Sequence, residues 1–187
     1  MRLGRQGVTL IELLVVFVIL GMIVAFAAPK IDVTKYQIES SMQGVGMQLL
    51  AFERQSIAQQ HDIIVLFDTA NQALKVHEDK NNNGTVDAGE RVRSIPLGDK
   101  VVFGKGTATA MAMGAGPVTF TKVVQGYKAL VFHRDGSASE AGGFYLTSRR
   151  AINYTGYPKD ARAIQLDRAT GRASWSRYNG TIWVRAF

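Results

Sequence analysis

Apolar residues crowd one end of this chain. Over residues 8–28, VTLIELLVVFVILGMIVAFAA, the only polar or charged side chains in 21 residues are Thr9 and Glu12. A run of about 20 apolar residues can cross the ~30 Å hydrocarbon core of a bilayer as a helix. Beyond Pro29 the pattern thins to a stripe. Ile38, Met42, Val45, Leu49 and Phe52 recur at steps of 4, 3, 4 and 3, the repeat of one helical face. Glu39, Gln43, Gln48 and Arg54 fall off that face. The spacing predicts a helix ending near Gln59; continuous from Val8, it is roughly 80 Å long at about 1.5 Å per residue. Gly44 and Gly46 weaken it locally. The stripe needs a globular partner in the same chain, because it is too short for a coiled-coil seam.

From His61 the pattern becomes strand-like. DIIVLFD and QALKVHE flank Thr69, Ala70 and Asn71 as a hairpin. RVRSIPL, KVVFG, VTFTKV, KALVFHRDGSASEAGGFYLTS, ARAIQLDRATGRASWSRYN and TIWVRAF follow with Gly-containing turns, and GKGTATAMAMGAGP reads as a loose loop. Many short strands after one long helix make an α+β chain, with antiparallel sheet laid on the apolar stripe. The organisation expected is 1–7 leader, 8–28 membrane or filament helix, 29–60 amphipathic half of the same helix, and 61–187 β-rich domain. There is no clear linker, so helix and sheet share one core.

The N-terminal run has three readings. MRLGRQG followed by an apolar stretch and Ala25-Phe26-Ala27 fits a cleaved secretory signal, although the run exceeds the usual ~7–15 residues. A plain signal anchor fits the two arginines by the positive-inside rule. Neither accounts for Glu12, since an ionisable group in a spanning helix costs about 2.5–3.5 kcal/mol on insertion scales. The third reading does. Gly7 followed by Val8-Thr9-Leu10-Ile11-Glu12 resembles the processing signal of type IV pilins and type II secretion pseudopilins. The resemblance implies cleavage after Gly7 by a prepilin peptidase and methylation of Val8. It also implies a retained helix bent near Pro29, and a Glu12 carboxylate that pairs with a neighbouring subunit's N-terminal ammonium.

The globular part narrows the resemblance. LLAFERQSIAQQHDIIVLFD, LVFHRDGSASEAGGFYL and RAIQLDRATGRASW are similar to segments of the GspH/FimT group of minor pseudopilins and minor pilins. What that implies is a structural subunit of a type II secretion pseudopilus or type IV pilus. Such a subunit has single-pass anchorage in a bacterial inner membrane and a periplasmic globular domain. Its partners are other pilins or pseudopilins, the prepilin peptidase and an inner-membrane assembly platform.

Composition narrows the chemistry. The chain has no cysteine, so disulfides and Cys-based zinc sites are excluded. His61, His77 and His133 are scattered without zinc-binding spacing. RDGSASE lacks a nucleophile elbow, and the Gly-rich stretch lacks a phosphate-loop pattern. No catalytic constellation stands out, and a non-enzyme is expected. The net charge is +7. Residues 149–187 hold eight basic residues against Asp160 and Asp167, with Tyr154, Tyr157, Trp175, Tyr178 and Trp183 interleaved. Arginine with aromatic rings is the footprint of a nucleic-acid groove; the alternative is a solvated basic face with its rings in the core. FimT-like relatives are associated with DNA capture through a G-R-x-R motif. Gly171-Arg172 matches its first half, whereas Ser174 replaces the second Arg. Arg168, Arg172 and Arg177 are the candidate DNA contacts of this alternative.

One loop carries a different signal. In DKNNNGTVDAGE, oxygen-bearing side chains fall at positions 1, 3, 5, 7, 9 and 12: Asp79, Asn81, Asn83, Thr85, Asp87 and Glu90, with Gly84 at position 6 and Val86 at position 8. That is the spacing of a calcium-binding loop. The flanking segments read as strands, which excludes a helix–loop–helix sensor. One Ca2+ holding a hairpin is the expectation, a membrane-anchored calcium-binding module the third functional reading, and an acidic Asn/Gly turn the plain alternative.

Overall fold

The structure, a computed structural model, describes residues 8–27 and 32–186. The chain divides into two compact units, residues 1–33 and 34–187. In the first unit α1 (Leu10–Ala27) is an 18-residue helix. Its large side chains are exposed all round, from Leu10 to Phe26. At about 1.5 Å per residue it is ~27 Å long. Among the described residues no helix is long and apolar enough to cross a membrane. Gly7 and Pro29 lie outside the described residues. So does any continuation of α1 toward α2 (Val33–Gln59); Asp32, just before α2, is not helical.

The second unit is built on the stripe of α2. Ile38, Met42, Val45, Leu49 and Phe52 are all buried, at 0–4% exposure, as the four-three spacing requires. What covers them is antiparallel sheet, as expected, divided into two five-stranded sheets. The strands are β1 (Asp62–Asp68), β2 (Ala73–Asp79), β3 (Val92–Pro96), β4 (Val101–Phe103), β5 (Val123–Val124), β6 (Tyr127–Phe132), β7 (Gly142–Ser148), β8 (Arg162–Leu166), β9 (Ala173–Tyr178) and β10 (Trp183–Arg185). One sheet has the order β3-β2-β1-β6-β5, the other β10-β9-β8-β7-β4. Phe67 of the first meets Phe103 and Phe144 of the second at 6.0 and 5.0 Å between ring centroids. These aromatic contacts tie the sheets together around the same core.

β1 explains why DIIVLFD reads as a nearly continuous apolar run. Ile63, Val65 and Phe67 enter the main core. Ile64 and Leu66 join Ala129 and Val131 in a second cluster on the other face, covered by Val86, Val124 and Tyr127. A strand buried on both faces has no polar side to alternate. The hairpin after it closes through Asp68, whose carboxylate accepts from Asn71 N and Nδ2 at 3.0 and 2.9 Å and pairs with Lys75 at 2.7 Å.

Three local expectations change. The stretch 104–117 is not loose: Ala108 is buried, and the Tyr145 hydroxyl accepts from Met111 N and donates to Gly114 O at 2.8 and 2.7 Å. VTFTKV contributes only β5 and an isolated bridge from Val118 to Phe144. A short helix, α3 (Arg149–Asn153), begins where Ser148 Oγ accepts from Ala151 N, an N-cap.

Gly46 has a packing reason. A Cβ there would run into the Trp175 indole, whereas one at Gly44 meets nothing within 4 Å. Gly46→Ala is therefore expected to lower stability by about 1–3 kcal/mol through overpacking, or roughly 2–4 °C of melting temperature per kcal/mol for a domain of this size. Gly44→Ala should raise stability by about 0.5–1 kcal/mol through helix propensity. Thermal melts of the two variants beside the parent check both signs.

Candidate functional site

The N-terminus of α1 closes on itself. Thr9 precedes the first helical residue and Glu12 lies three residues on. Thr9 N and Thr9 Oγ1 both donate to Glu12 Oε2 at 2.8 Å, and Glu12 N donates to Thr9 Oγ1 at 3.3 Å. This reciprocal pattern is a capping box, which satisfies backbone N–H groups that a helix start leaves open. The T-x-x-E spacing was legible in TLIE, but Glu12 reads there only as a partner for another chain. Both bonds that Thr9 donates fall on Glu12 Oε2. Val8 stands beside this cap and is 72% exposed. Val8 and Glu12 thus stand at the start of a helix whose large apolar side chains are exposed on every side.

The loop 79–90 brings its six oxygen-bearing side chains into one turn, but the carboxylates do not converge. Asp79, buried at the end of β2, accepts from the backbone N–H groups of Asn83 and Gly84 at 3.1 and 2.6 Å. Asn81 and Asn83 turn their side-chain amides onto Asp87 Oδ2 at 2.8 and 2.6 Å, and Thr85 Oγ1 approaches Oδ1 at 3.3 Å. Glu90 Oε2 accepts from Asp87 N at 3.1 Å. Asp87 is held below the usual carboxylate range, first by the Asn81 amide and then by that of Asn83. Neutral donors thus occupy the place around Asp87 that a cation would take. Among the described residues no group of three or more His, Asp or Glu side chains is assembled as a metal site. The oxygens fit Ca2+ in kind and spacing. For a metal the Asn81 and Asn83 amides would have to turn oxygen inward.

The loop has a second attachment. Val86 packs on the outer cluster of Ile64, Leu66, Ala129 and Val131. His77, on that same face of β2 opposite Ile64, is buried with neither ring nitrogen hydrogen-bonded. Burial pushes its pKa down, against a smaller pull upward from Glu90.

The basic C-terminal region is dispersed. Arg162 is 2% exposed and donates through Nε to Glu39 Oε2 of α2 at 2.9 Å, with Nη1 on Lys159 O and Ala161 O. Arg150 pairs with Asp160 at 2.8 Å. Three of the five aromatics pack against the fold, Tyr178 buried and Trp175 and Trp183 partly buried. Trp175 packs on the main core over Gly46. Tyr178 is buried, and Trp183 stacks between it and Tyr145 while its indole N–H donates to Thr109 O at 2.9 Å. Arg168 and Arg172 lie in the turn between β8 and β9, and Arg177 near the far end of β9. Five residues of extended strand, about 17 Å, separate Arg172 from Arg177. The structure therefore does not gather the three arginines with rings between them.

Comparison with known proteins agrees with the N-terminal reading. The family model described as the prokaryotic N-terminal methylation motif matches residues 2–28. No curated protein matches the chain. Among solved structures, one of the minor pseudopilin EpsH from the Type 2 Secretion System of Vibrio cholerae overlaps 80% of this chain and 94% of its own, at 13% identity and a TM-score of 0.42. A crystal structure of the same Vibrio cholerae pseudopilin overlaps 75% and 94%, at 15% identity and a TM-score of 0.45. Gly7, Val8 and Glu12 all fall within the segment, residues 2–28, that is similar to the prokaryotic N-terminal methylation motif.

Proposed function

We propose that this chain is a minor pseudopilin or minor pilin, a structural subunit rather than an enzyme. It is anchored by its N-terminal helix in a bacterial inner membrane, with residues 34–187 on the periplasmic side. A prepilin peptidase cuts it after Gly7 and methylates Val8, and it then joins a type II secretion pseudopilus or type IV pilus beside other subunits. The observation that carries this reading is the methylation motif over residues 2–28. The all-round apolar α1 and the Thr9–Glu12 cap beside Val8 support it. In docking, Glu12 Oε2 keeps capping its own helix while Oε1 receives a neighbour's ammonium, so the carboxylate never enters lipid unsatisfied.

Mass spectrometry of the native protein is expected to find an N-methylated Val8 as the first residue. An N-terminus at Ala28 overturns the proposal. Glu12→Gln separates the two roles of that side chain, because Gln still caps a helix but carries no charge. Incorporation into filaments, read by immunoblot of sheared fibres, should be lost in Glu12→Gln as in Glu12→Ala. Assembly retained in the Gln variant would reduce Glu12 to a cap.

A calcium ion in the loop 79–90 is a second proposal, supported by the oxygen spacing and by Asp79 rooted at the end of β2. A site with a Kd near ~10⁻⁴ M gives about 2.7 kcal/mol at a hundredfold excess of calcium. That is several degrees of melting temperature in the full-length protein, relative to chelator. Asp79→Ala should abolish the shift. Equal melting with calcium and with chelator means the loop is closed by its own Asn–Asp bonds alone.

A further inference from the structure

Two places in the chain set an asparagine directly before a glycine, Asn83-Gly84 and Asn179-Gly180. In such a pair the glycine's backbone nitrogen can attack the asparagine's side-chain amide carbon, because no Cβ on the glycine shields the approach. The fold treats the two pairs differently, and the difference lies at the attacking nitrogen.

Asn179 follows β9 at the turn into β10 and is exposed. Its Oδ1 accepts from Thr181 N and Ile182 N, both at 2.9 Å, which folds the side chain back over its own turn. Two N–H donors on that oxygen polarise the amide carbonyl and meet the negative charge that attack places on it. The Gly180 N–H has no acceptor among the described residues. A Cβ on Gly180 would lie 3.0 Å from Lys159 Cε. The Lys159 ammonium therefore stands close to a nitrogen that has to lose a proton, and a nearby cation favours that loss.

Asn83 has a similar carbonyl and a different nitrogen. Thr85 N and Oγ1 donate to Asn83 Oδ1 at 2.8 and 2.7 Å, so this amide is polarised as well. Gly84 N, however, donates to the buried Asp79 carboxylate at 2.6 Å, and Asn83 Nδ2 donates to Asp87 Oδ2 at 2.6 Å. Two carboxylates oppose both the loss of a proton from Gly84 N and the build-up of charge on Oδ1.

We propose that Asn179-Gly180 is a self-modifying site, a place of deamidation and isoaspartate formation, and that the loop 79–90 protects Asn83-Gly84 from the same reaction. Hydroxide takes the proton of Gly180 N, and the nitrogen bonds to Asn179 Cγ. The Cγ–Nδ2 bond breaks, and Nδ2 leaves as ammonia with a proton from water, which closes a cyclic imide. Water then opens the imide at one carbonyl or the other. Asparagine and water thus give ammonia and either aspartate or isoaspartate, with no change of oxidation state. The aspartate form keeps the turn, since a carboxylate accepts the same two N–H bonds. The isoaspartate form adds a methylene to the main chain between Tyr178 and Trp183, the residues whose pairing begins the β9–β10 register. β10 is an edge strand hydrogen-bonded to β9 alone, so the change loosens that strand first. The site is independent of the filament reading, and so is its test.

The full-length chain, in neutral detergent with a chelator, is held at mildly alkaline pH, digested at acid pH and read by liquid chromatography and mass spectrometry. The peptide containing Asn179 is expected to gain about 1 Da and to split into two isomers, at a rate at least about tenfold that of the peptide containing Asn83. In urea, where both turns are lost, the two rates should converge. Lys159→Glu, a change at an exposed side chain, should slow the reaction at Asn179 several-fold and leave Asn83 as it was; an unchanged thermal melt shows that the variant folds. Equal rates at the two sites in the folded chain, or a faster Asn83, overturn the proposal. So does a Lys159→Glu rate equal to the parent's.

Discussion

The stripe of α2 has to be buried, and much of residues 34–187 is arranged to bury it. Ile38, Met42, Val45, Leu49 and Phe52 form one face about 20 Å long, too large for one short sheet to cover. The chain supplies two sheets and joins them at Phe67, Phe103 and Phe144. Gly46 lets Trp175 close on the helix, and Arg162 fastens the second sheet to Glu39. An arginine at 2% exposure is tolerable there because Glu39 and two backbone carbonyls take its donors. Removing Glu39 would leave an uncompensated buried charge.

Two sheets around one helix also leave two outer faces to cover. Each is covered by a loop whose sequence suggests something else. The loop 79–90, which looks like a metal loop, drops Val86 onto Ile64, Leu66, Ala129 and Val131. The Gly- and Ala-rich stretch 104–117 lies against the second sheet, pinned at Met111 and Gly114 by Tyr145. Covering a face is enough to give both loops their order. In the first, the Asn–Asp bonds around Asp87 satisfy within the loop the groups that a cation would otherwise satisfy.

The two ends of the chain follow different rules. In residues 34–186 the core apolar side chains find partners within the unit, while Met47, Ile152, Tyr154 and Ile182 stay exposed. In α1 the large apolar side chains are exposed on every side. The Thr9–Glu12 cap meets the needs of the helix start without meeting those of the apolar surface.

Much of this was legible in the residues alone, because it rests on local periodicity and local spacing. The four-three stripe names the buried face of α2 residue by residue. The Gly7–Glu12 motif names the N-terminal segment that the methylation model matches, and TLIE spells out a capping box. Alternation and turn residues place most strands. Contacts far apart in sequence were decided only by the tertiary structure. Trp175, Tyr178 and Trp183 look like a base-stacking series in sequence, yet which face of a strand meets a helix depends on register with β8 and β10. That register puts all three inside or against their own fold. Arg162 and Arg177 are alike in composition, but only Arg162 reaches Glu39, which lies 123 residues away. Sequence spacing sets which side chains share a face; packing of distant segments sets what that face meets, and for this protein the second step separates the buried arginine from the exposed ones.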